Sequence, residues 1–150
     1  MRYREELINH IRLEFSAVSQ NEAFARCTVT SALSALDPTV DELADIRTAV
    51  SEAVTNSIIH GYRGSSGGMV TLILKIYADR RIFIRIHDDG CGIEDVERAM
   101  QPLYTGDPNG ERGGMGFTIM KSFTDSLRVH SAPGRGTTVT MVKKLGTEKS

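Results

Sequence analysis

Hydrophobic and polar positions along this chain switch between a two-residue and a helical period, which predicts alternating strands and helices. Residues 11–15 alternate apolar and charged side chains, as a half-buried strand does. Two pairs of strands are predicted further along, 70–77 with 81–86 and 127–131 with 137–142. We therefore expect five strands, four of them joined in pairs by short turns.

Helical spacing fills the stretch between the first two strands. Residues 19–22 and 39–42 both have the sequence of a capping box, so we expect one helix to begin at each. Asp37-Pro38 should end the first helix, because proline disfavours helical geometry in the preceding residue. Gly61 is expected to end the second helix in a left-handed cap.

Two shorter helices are predicted at 94–100 and 117–126, separated by a loop rich in glycine and proline. The element order is then β-α-α-β-β-α-α-β-β, with links between strands of the hairpin type. This order predicts an α+β fold, a two-layer sandwich of a mostly antiparallel sheet with helices on one face. Residues 1–150 are expected to form a single domain.

Composition narrows the classes of function. The net charge is −1 with acids and bases mixed along the chain, so we expect no direct binding to nucleic acid. No apolar run approaches the ~20 residues that span a bilayer, and the first residues do not have the pattern of a signal peptide. Cys27 and Cys91 fit no disulfide framework or zinc motif. We expect a protein of the cytoplasm with no membrane contact.

Three polar residues are spaced four apart within the second predicted helix. Glu52, Asn56 and His60 should therefore share one helical face beside the apolar stripe. The carboxamide oxygen of Asn56 is a hard ligand suited to Mg²⁺, and Glu52 can accept a proton from a nucleophile. A solvated polar stripe is the alternative explanation for this segment alone.

The third predicted strand is followed by Asp88, with Gly90 and Gly92 just beyond it. A buried aspartate at a strand end can accept a hydrogen bond from an exocyclic amine such as N6 of adenine. Glycines at these positions let a flat base approach the backbone. A plain Asp-Gly turn would give the same local sequence.

Two further glycine-rich segments are candidate ligand contacts. Residues 112–117 precede a predicted helix, so their N–H groups can face an anion, with Arg112 available for a terminal phosphate. A flexible hinge is the alternative. Residues 134–138 form a predicted turn that includes Thr137, whose hydroxyl suits a base edge.

These four segments resemble, in order and spacing, the N, G1, G2 and G3 boxes of the GHKL ATP-binding superfamily. A closer resemblance, covering nearly the whole chain, is to the anti-sigma F factor family of sporulating bacteria. The matching segments are 14–17, 19–26, 36–39, 50–56, 58–62, 101–103, Glu111 and 115–120. That family is a small serine kinase that holds a sigma factor inactive when ATP is bound and phosphorylates a serine of an anti-anti-sigma protein.

The resemblance implies a homodimer that binds ATP or ADP with Mg²⁺ and a sigma factor of the sigma F type. By that resemblance, Glu52 is the general base, Asn56 holds Mg²⁺, and Asp88 reads adenine with help from Thr137. Arg26 would contact a protein partner. The remaining implied nucleotide contacts are Gly90, Gly92, Thr105, Arg112, Gly114, Met115, Gly116 and Phe117.

By the same resemblance, the glycine-rich loop before the last predicted helix forms a lid over the phosphates, and two departures from the family pattern stand in it. Residues 106–110 carry two glycines where relatives have fewer, and Gly113 stands where serine is expected, which suggests a looser lid. Two rival functions stay open: an anti-sigma kinase of a stress-response circuit, and a nucleotide-gated sigma-binding protein without kinase activity. Glu52 favours a kinase, because a binding protein needs no base.

Overall fold

The computed structural model describes residues 6–62, 67–101 and 116–146. Its elements follow the predicted order. The strands are β1 (Leu7–Ser16), β2 (Met69–Tyr77), β3 (Arg81–Asp88), β4 (Ser126–Ser131) and β5 (Thr137–Lys144). The helices are α1 (Asn21–Leu33), α2 (Val40–Asn56), α3 (Val96–Ala99) and α4 (Gly116–Ser122), with a 3₁₀ turn at Ser34–Leu36 and a π turn at Ser57–Gly61.

The five strands form one sheet in the order β1-β2-β3-β5-β4, and every neighbouring pair is antiparallel. β3 therefore lies beside β5, and this pairing puts Asp88 directly opposite Thr137. The pairing brings the second and fourth of the predicted motif segments together at one end of the sheet.

Helices cover one face of this sheet, which confirms the predicted α+β sandwich. Strand residues alternate between buried and partly exposed positions, and the buried ones join the apolar side chains of α1, α2 and α4 in one core. Val29, Val50, Val54 and Met120 are among the helical side chains that are fully buried in this core. The partly exposed strand residues point to the opposite face of the sheet.

The two predicted capping boxes have different outcomes. At α2 the box is confirmed: the Glu42 N–H donates to the Thr39 hydroxyl at 3.0 Å, and the Thr39 N–H donates to the Glu42 carboxylate at 2.9 Å. At α1 the box is wrong, because the helix begins after Gln20, which has helical angles and makes no side-chain cap. The Glu22 N–H donates to the backbone carbonyl of Ser19 instead, at 3.2 Å.

Gly61 is not a left-handed cap, which corrects the prediction. The α-helix ends at Asn56, the chain widens into the π turn, and Tyr62 follows with φ −104°. The left-handed residue that ends a helical segment is Asp37, with φ 49°, after the 3₁₀ turn.

Helices α3 and α4 are shorter than predicted. The Asp95 carboxylate accepts a hydrogen bond from the Arg98 N–H at 3.1 Å, and this cap makes α3 begin only at Val96. The Asp125 N–H donates to the Val142 carbonyl at 2.8 Å, so the chain has already left α4 there.

Candidate functional site

Asp88 lies at the end of β3 with only 2% of its surface exposed. Its carboxylate accepts a hydrogen bond from the Gly90 N–H at 3.0 Å and another from the Ser57 hydroxyl. Burial raises the pKa of the Asp88 carboxyl above its ordinary value, while these two hydrogen bonds act in the opposite direction. The sequence prediction of a buried strand-end aspartate is confirmed in this geometry.

Three glycines from separate parts of the chain close around Asp88. A Cβ on Gly61 would lie 2.8 Å from the Asp88 carboxylate, and one on Gly136 would lie 2.0 Å from the Asp88 carbonyl oxygen. A Cβ on Gly90 would lie 1.9 Å from the Gly61 carbonyl oxygen. These approaches exclude any side chain, which explains Gly61 better than the cap that its sequence position suggested.

The segment after Asp88 is also joined to its neighbours by backbone hydrogen bonds. The Cys91 N–H donates to the Gly61 carbonyl at 2.7 Å, and the Gly134 N–H donates to the Cys91 carbonyl at 2.7 Å. Gly92 has φ 75°, and a Cβ there would lie 1.9 Å from the Ala132 carbonyl oxygen. The predicted G1 and G3 segments are thus packed against each other and against the π turn.

Thr137 stands opposite Asp88 on β5 and is nearly buried, at 9% exposed. Its hydroxyl forms a 2.8 Å hydrogen bond with the hydroxyl of Ser131. Ser131 also donates to the Gly136 carbonyl at 2.8 Å and accepts from the Ile93 N–H. The Thr137 hydroxyl therefore has a protein partner already, and any contact with a base stays a prediction.

Glu52 and Asn56 lie one turn apart on α2, and both are half-buried. The Asn56 carboxamide faces the first residue of α4, because a Cβ on Gly116 would lie 2.8 Å from its Nδ2. The structure thus brings the N-box helix and the start of α4 together. His60 lies in the π turn, where the 3.6-residue period behind the single-face prediction no longer applies.

The residues present fit a nucleotide with its metal ion. Asn56 supplies a hard oxygen ligand near the start of α4, and Asp88 supplies a buried acceptor with glycines around it. Within 6–62, 67–101 and 116–146 no group of three or more His, Cys, Asp or Glu could hold a metal by itself. A Mg²⁺ there would depend on Asn56 and on oxygen atoms of the nucleotide.

Four predicted site residues, Thr105, Arg112, Gly114 and Met115, lie outside the described residues. Gly116 and Phe117 open α4, and Phe117 packs partly against the core.

Arg26 lies on α1, a helix that contributes none of the residues above. Its side chain is 35% exposed, and its Nε lies 3.6 Å from the Glu22 carboxylate. Arg26 lies outside the candidate nucleotide site, and its contact with a partner stays a prediction.

Sequence reasoning missed four residues that support the site: Ser57, Tyr62, His87 and Ser131. The two ring nitrogens of His87 bond the Thr138 hydroxyl at 2.7 Å and the Asp89 carboxylate at 2.8 Å. The Tyr62 hydroxyl accepts from the Asp89 N–H and donates to the Met69 carbonyl. Their sequence signal was only adjacency to the motifs, since the partners come from other elements.

Comparison with known proteins gives one family. A family model described as a histidine kinase-like ATPase domain matches residues 15–143. An anti-sigma F factor from Priestia megaterium is 51% identical over 142 residues, which is 95% of this chain and 97% of the relative. An anti-sigma F factor from Clostridium acetobutylicum is 54% identical over 139 residues, covering 93% of this chain and 96% of the relative.

Solved structures share the fold at lower identity. A Mycobacterium tuberculosis chain with RsbU and RsbW domains superposes with a TM-score of 0.68 at 19% identity, covering 93% of this chain and 33% of that chain. At this identity the match shows the fold alone. In the described part of the chain no helix is long and apolar enough to cross a membrane.

Proposed function

This chain belongs to the anti-sigma F factor family of histidine kinase-like ATPase domains, and on that premise we propose that it is an ATP-dependent serine kinase that also holds a sigma factor inactive. The observation that carries the proposal is the arrangement around the π turn. Its last residue, Gly61, contacts the buried Asp88, and Asn56, the residue before it, contacts the start of α4. One short segment therefore links an acceptor for a base to candidate ligands for metal and phosphate.

The first part of the proposal is that Asp88 selects adenine. A buried carboxylate accepts a hydrogen bond from the adenine amine and repels the carbonyl at the same position of guanine. Gly90 and Gly92 pack so closely against the Gly61 and Ala132 carbonyl oxygens that neither position admits a side chain. We expect ATP and ADP to bind while GTP does not, as measured by titration calorimetry. Equal affinity for GTP would contradict this assignment.

The second part is phosphoryl transfer to a serine hydroxyl. Asn56 would hold Mg²⁺ through its carbonyl oxygen, and the ion supplies charge neutralisation on the phosphates. Glu52, one turn away, would accept the hydroxyl proton as the serine oxygen bonds the γ-phosphorus and the bond to ADP breaks. Thr105, Arg112, Gly114, Met115 and Gly116 are proposed to surround the phosphates.

The third part concerns the partners, a sigma factor of the sigma F type and the anti-anti-sigma protein that receives the phosphate. We assign Arg26 to this contact, because α1 takes no part in the candidate nucleotide site. Arg26→Glu should leave ATP affinity nearly unchanged while it weakens partner binding by about tenfold or more. Arg47→Glu, an exposed arginine on α2, is the control. Loss of ATP binding with partner binding intact would contradict the assignment.

The fourth part is the homodimer. β1 is an edge strand, and the exposed Leu7 and Ile8 stand at its start. A groove of about 540 Å³ lies between β1 and α1, and Phe24 on its rim is 56% exposed. A second copy would cover this apolar surface. Phe24→Ser should shift the chain toward the monomer in sedimentation velocity runs, and an unchanged dimer would place the interface elsewhere.

The decisive experiment is single-turnover phosphorylation of a candidate anti-anti-sigma protein with labelled ATP. Glu52→Gln should keep nucleotide and sigma-factor binding while the rate falls by about two orders of magnitude or more. Glu97→Gln, an exposed glutamate on α3, provides a matched control with the same chemical change. Asn56→Ala should differ by also losing Mg²⁺-dependent nucleotide binding.

The outcomes separate the rival functions. A Glu52→Gln variant that phosphorylates at the rate of the unmodified chain would remove the catalytic role of Glu52. No transfer to any anti-anti-sigma protein, with ATP-dependent sigma binding retained, would favour the nucleotide-gated binding protein. Preference for the sigma factor of a stress-response circuit over sigma F would favour that circuit.

A further inference from the structure

The sheet face that no described helix covers carries many more basic than acidic side chains. We call it the cationic sheet face and define it by the outward-pointing strand residues. Its charged members include six Lys or Arg and one acid: Arg12, Lys75, Arg81, Arg85, Arg128, Lys144 and Glu14. The whole sequence has 18 Lys and Arg and 19 Asp and Glu, so the remaining positions hold 12 basic and 18 acidic residues. The small net charge conceals a strong separation of charge.

Three of the arginines fall in one row that crosses all five strands. Pairing places Arg12 beside Ile73 and Ile73 beside Arg85, and places Arg85 and Arg128 on either side of Thr140. The arginines therefore occupy the first, third and fifth strands of the sheet. With strands ~4.8 Å apart, successive arginines of the row are ~10 Å apart. Between them lie only the shorter, half-buried Ile73 and Thr140.

Aromatic rings beneath the cations hold several of them in place. Arg81 lies 4.3 Å from the centre of the Tyr77 ring, and Lys75 and Arg85 lie 5.3 and 5.1 Å from the centre of the Phe83 ring. Such stacking positions a guanidinium while leaving its N–H groups free for a carboxylate. Arg12 is partly neutralised by Glu14 at 2.9 Å, but both side chains are more than half exposed, which makes this pair weak.

We propose that the cationic sheet face docks an acidic α-helix of a partner protein, laid across the strands. Residues seven apart on a helix are separated by ~10 Å along its axis, which matches the spacing of the arginine row. Acidic residues repeated at that interval would meet Arg12, Arg85 and Arg128 in turn. Ile73 and Thr140 have shorter side chains than the arginines on either side, and this leaves room for the backbone of the helix. This surface is separate from the candidate nucleotide site, so the inference does not depend on the kinase assignment.

The spacing of the arginines, and the cations that already stack on the aromatic rings, favour a protein helix over a nucleic acid as the partner. Duplex DNA presents a phosphate every ~3.4 Å along each strand, a much denser array than cations ~10 Å apart. Single strands are bound by bases stacking on open aromatic rings, whereas Tyr77 and Phe83 already carry cations over their faces. An acidic helix can pair with the cations without displacing them from the aromatic rings.

The test uses two labelled helical peptides of identical composition, rich in alanine and glutamate. One has its glutamates along a single face at the seven-residue interval, and the other has them distributed around the helix. Fluorescence anisotropy at low ionic strength should show the single-face peptide binding about fivefold tighter or more. Arg85→Glu/Arg128→Glu should reduce that affinity about tenfold or more. The matched control, Arg47→Glu/Lys121→Glu, reverses two exposed cations away from the face and should have little effect.

Arg85→Gln/Arg128→Gln keeps the test valid if charge reversal harms folding, and circular dichroism checks the fold of each variant. Equal affinity for the two peptides, or equal losses in the face and control variants, would overturn the proposal. An oligothymidylate that binds tighter than the single-face peptide and is lost in the same face variant would also overturn it, in favour of a nucleic-acid surface.

Discussion

The two ends of the candidate nucleotide site are built in different ways. Around Asp88 the close contacts are made by backbone from three segments, with Gly61, Gly90 and Gly136 at distances that admit no Cβ. Around Asn56 the close contact is between its own carboxamide and Gly116. Backbone cannot move without shifting a strand, but a side chain can rotate. We call the surroundings of Asp88 the base end and the surroundings of Asn56 the metal end, after their proposed roles. The base end should be rigid and should not tolerate added atoms. The metal end should accommodate them by rotation of the Asn56 side chain.

The largest expected effect tests the rigidity of the base end with two glycines of one turn. Gly134 and Gly136 have φ 75° and 77°, but a Cβ on Gly134 meets nothing within 4 Å, while one on Gly136 meets the Asp88 carbonyl oxygen at 2.0 Å. Gly134→Ala should cost about 1 kcal/mol from backbone strain alone. Gly136→Ala should cost about 2–3 kcal/mol more, because the clash adds to that strain.

Urea denaturation of the ligand-free protein measures both variants, and the strain common to them cancels in the difference. Equal losses of unfolding free energy would mean that the turn moves aside, and the base end would not be rigid.

The next effect separates binding from stability at Asp88. Its folded-state pKa is raised by burial, so the ionised carboxylate weakens the fold at neutral pH, and the protein gains stability as the pH falls through that raised pKa. Asp88→Asn should therefore stabilise the ligand-free chain at neutral pH, with the gain vanishing below the ordinary carboxyl range. ATP affinity should fall about tenfold or more, since the amide presents a donor to the adenine amine.

Thermal melts across a pH series, with titration calorimetry on the same samples, measure both consequences. A variant less stable than the unmodified chain at neutral pH would show that the hydrogen bonds from Gly90 and Ser57 outweigh the cost of burial.

The smallest effect tests whether the metal end adapts. A Cβ on Gly116 would approach Nδ2 of Asn56 at 2.8 Å, and that flexible side chain can rotate away. Gly116→Ala should thus change unfolding free energy by no more than about 0.5 kcal/mol. Mg²⁺-dependent ATP affinity should fall about threefold to tenfold, because the carboxamide loses its position. Calorimetry with and without Mg²⁺ provides the comparison, and a large loss of stability would make the two ends alike.

The sequence predicted the elements well because their signals are local. Alternation marked the strands, and the box at Thr39–Glu42 marked the start of α2. The same pattern at 19–22 failed because Gln20 already has helical angles and the Ser19 carbonyl takes the Glu22 N–H. A capping pattern specifies which groups can pair but not where the helix begins.

The sequence identified residues of the base end but not the contacts that hold them together. The position of Asp88 before two glycines indicated a buried acceptor, and the structure has one. Gly61 was assigned to a cap because its real constraint, the Asp88 carboxylate, is distant in sequence. The pairing of β3 with β5, and Ser131 as the bond partner of Thr137, also depend on contacts that no local pattern encodes.

The π turn at Ser57–Gly61 has a consequence for chain length. A π turn holds one more residue than an α-helical turn, so it shifts the residues that follow it around the helix axis. Deleting one residue between Asn56 and Gly61 would bring the next residue into register and rotate the glycine by about 100° around the helix axis, away from Asp88. At this point the number of residues, and not only their identity, sets how Asn56 and Asp88 are placed relative to each other.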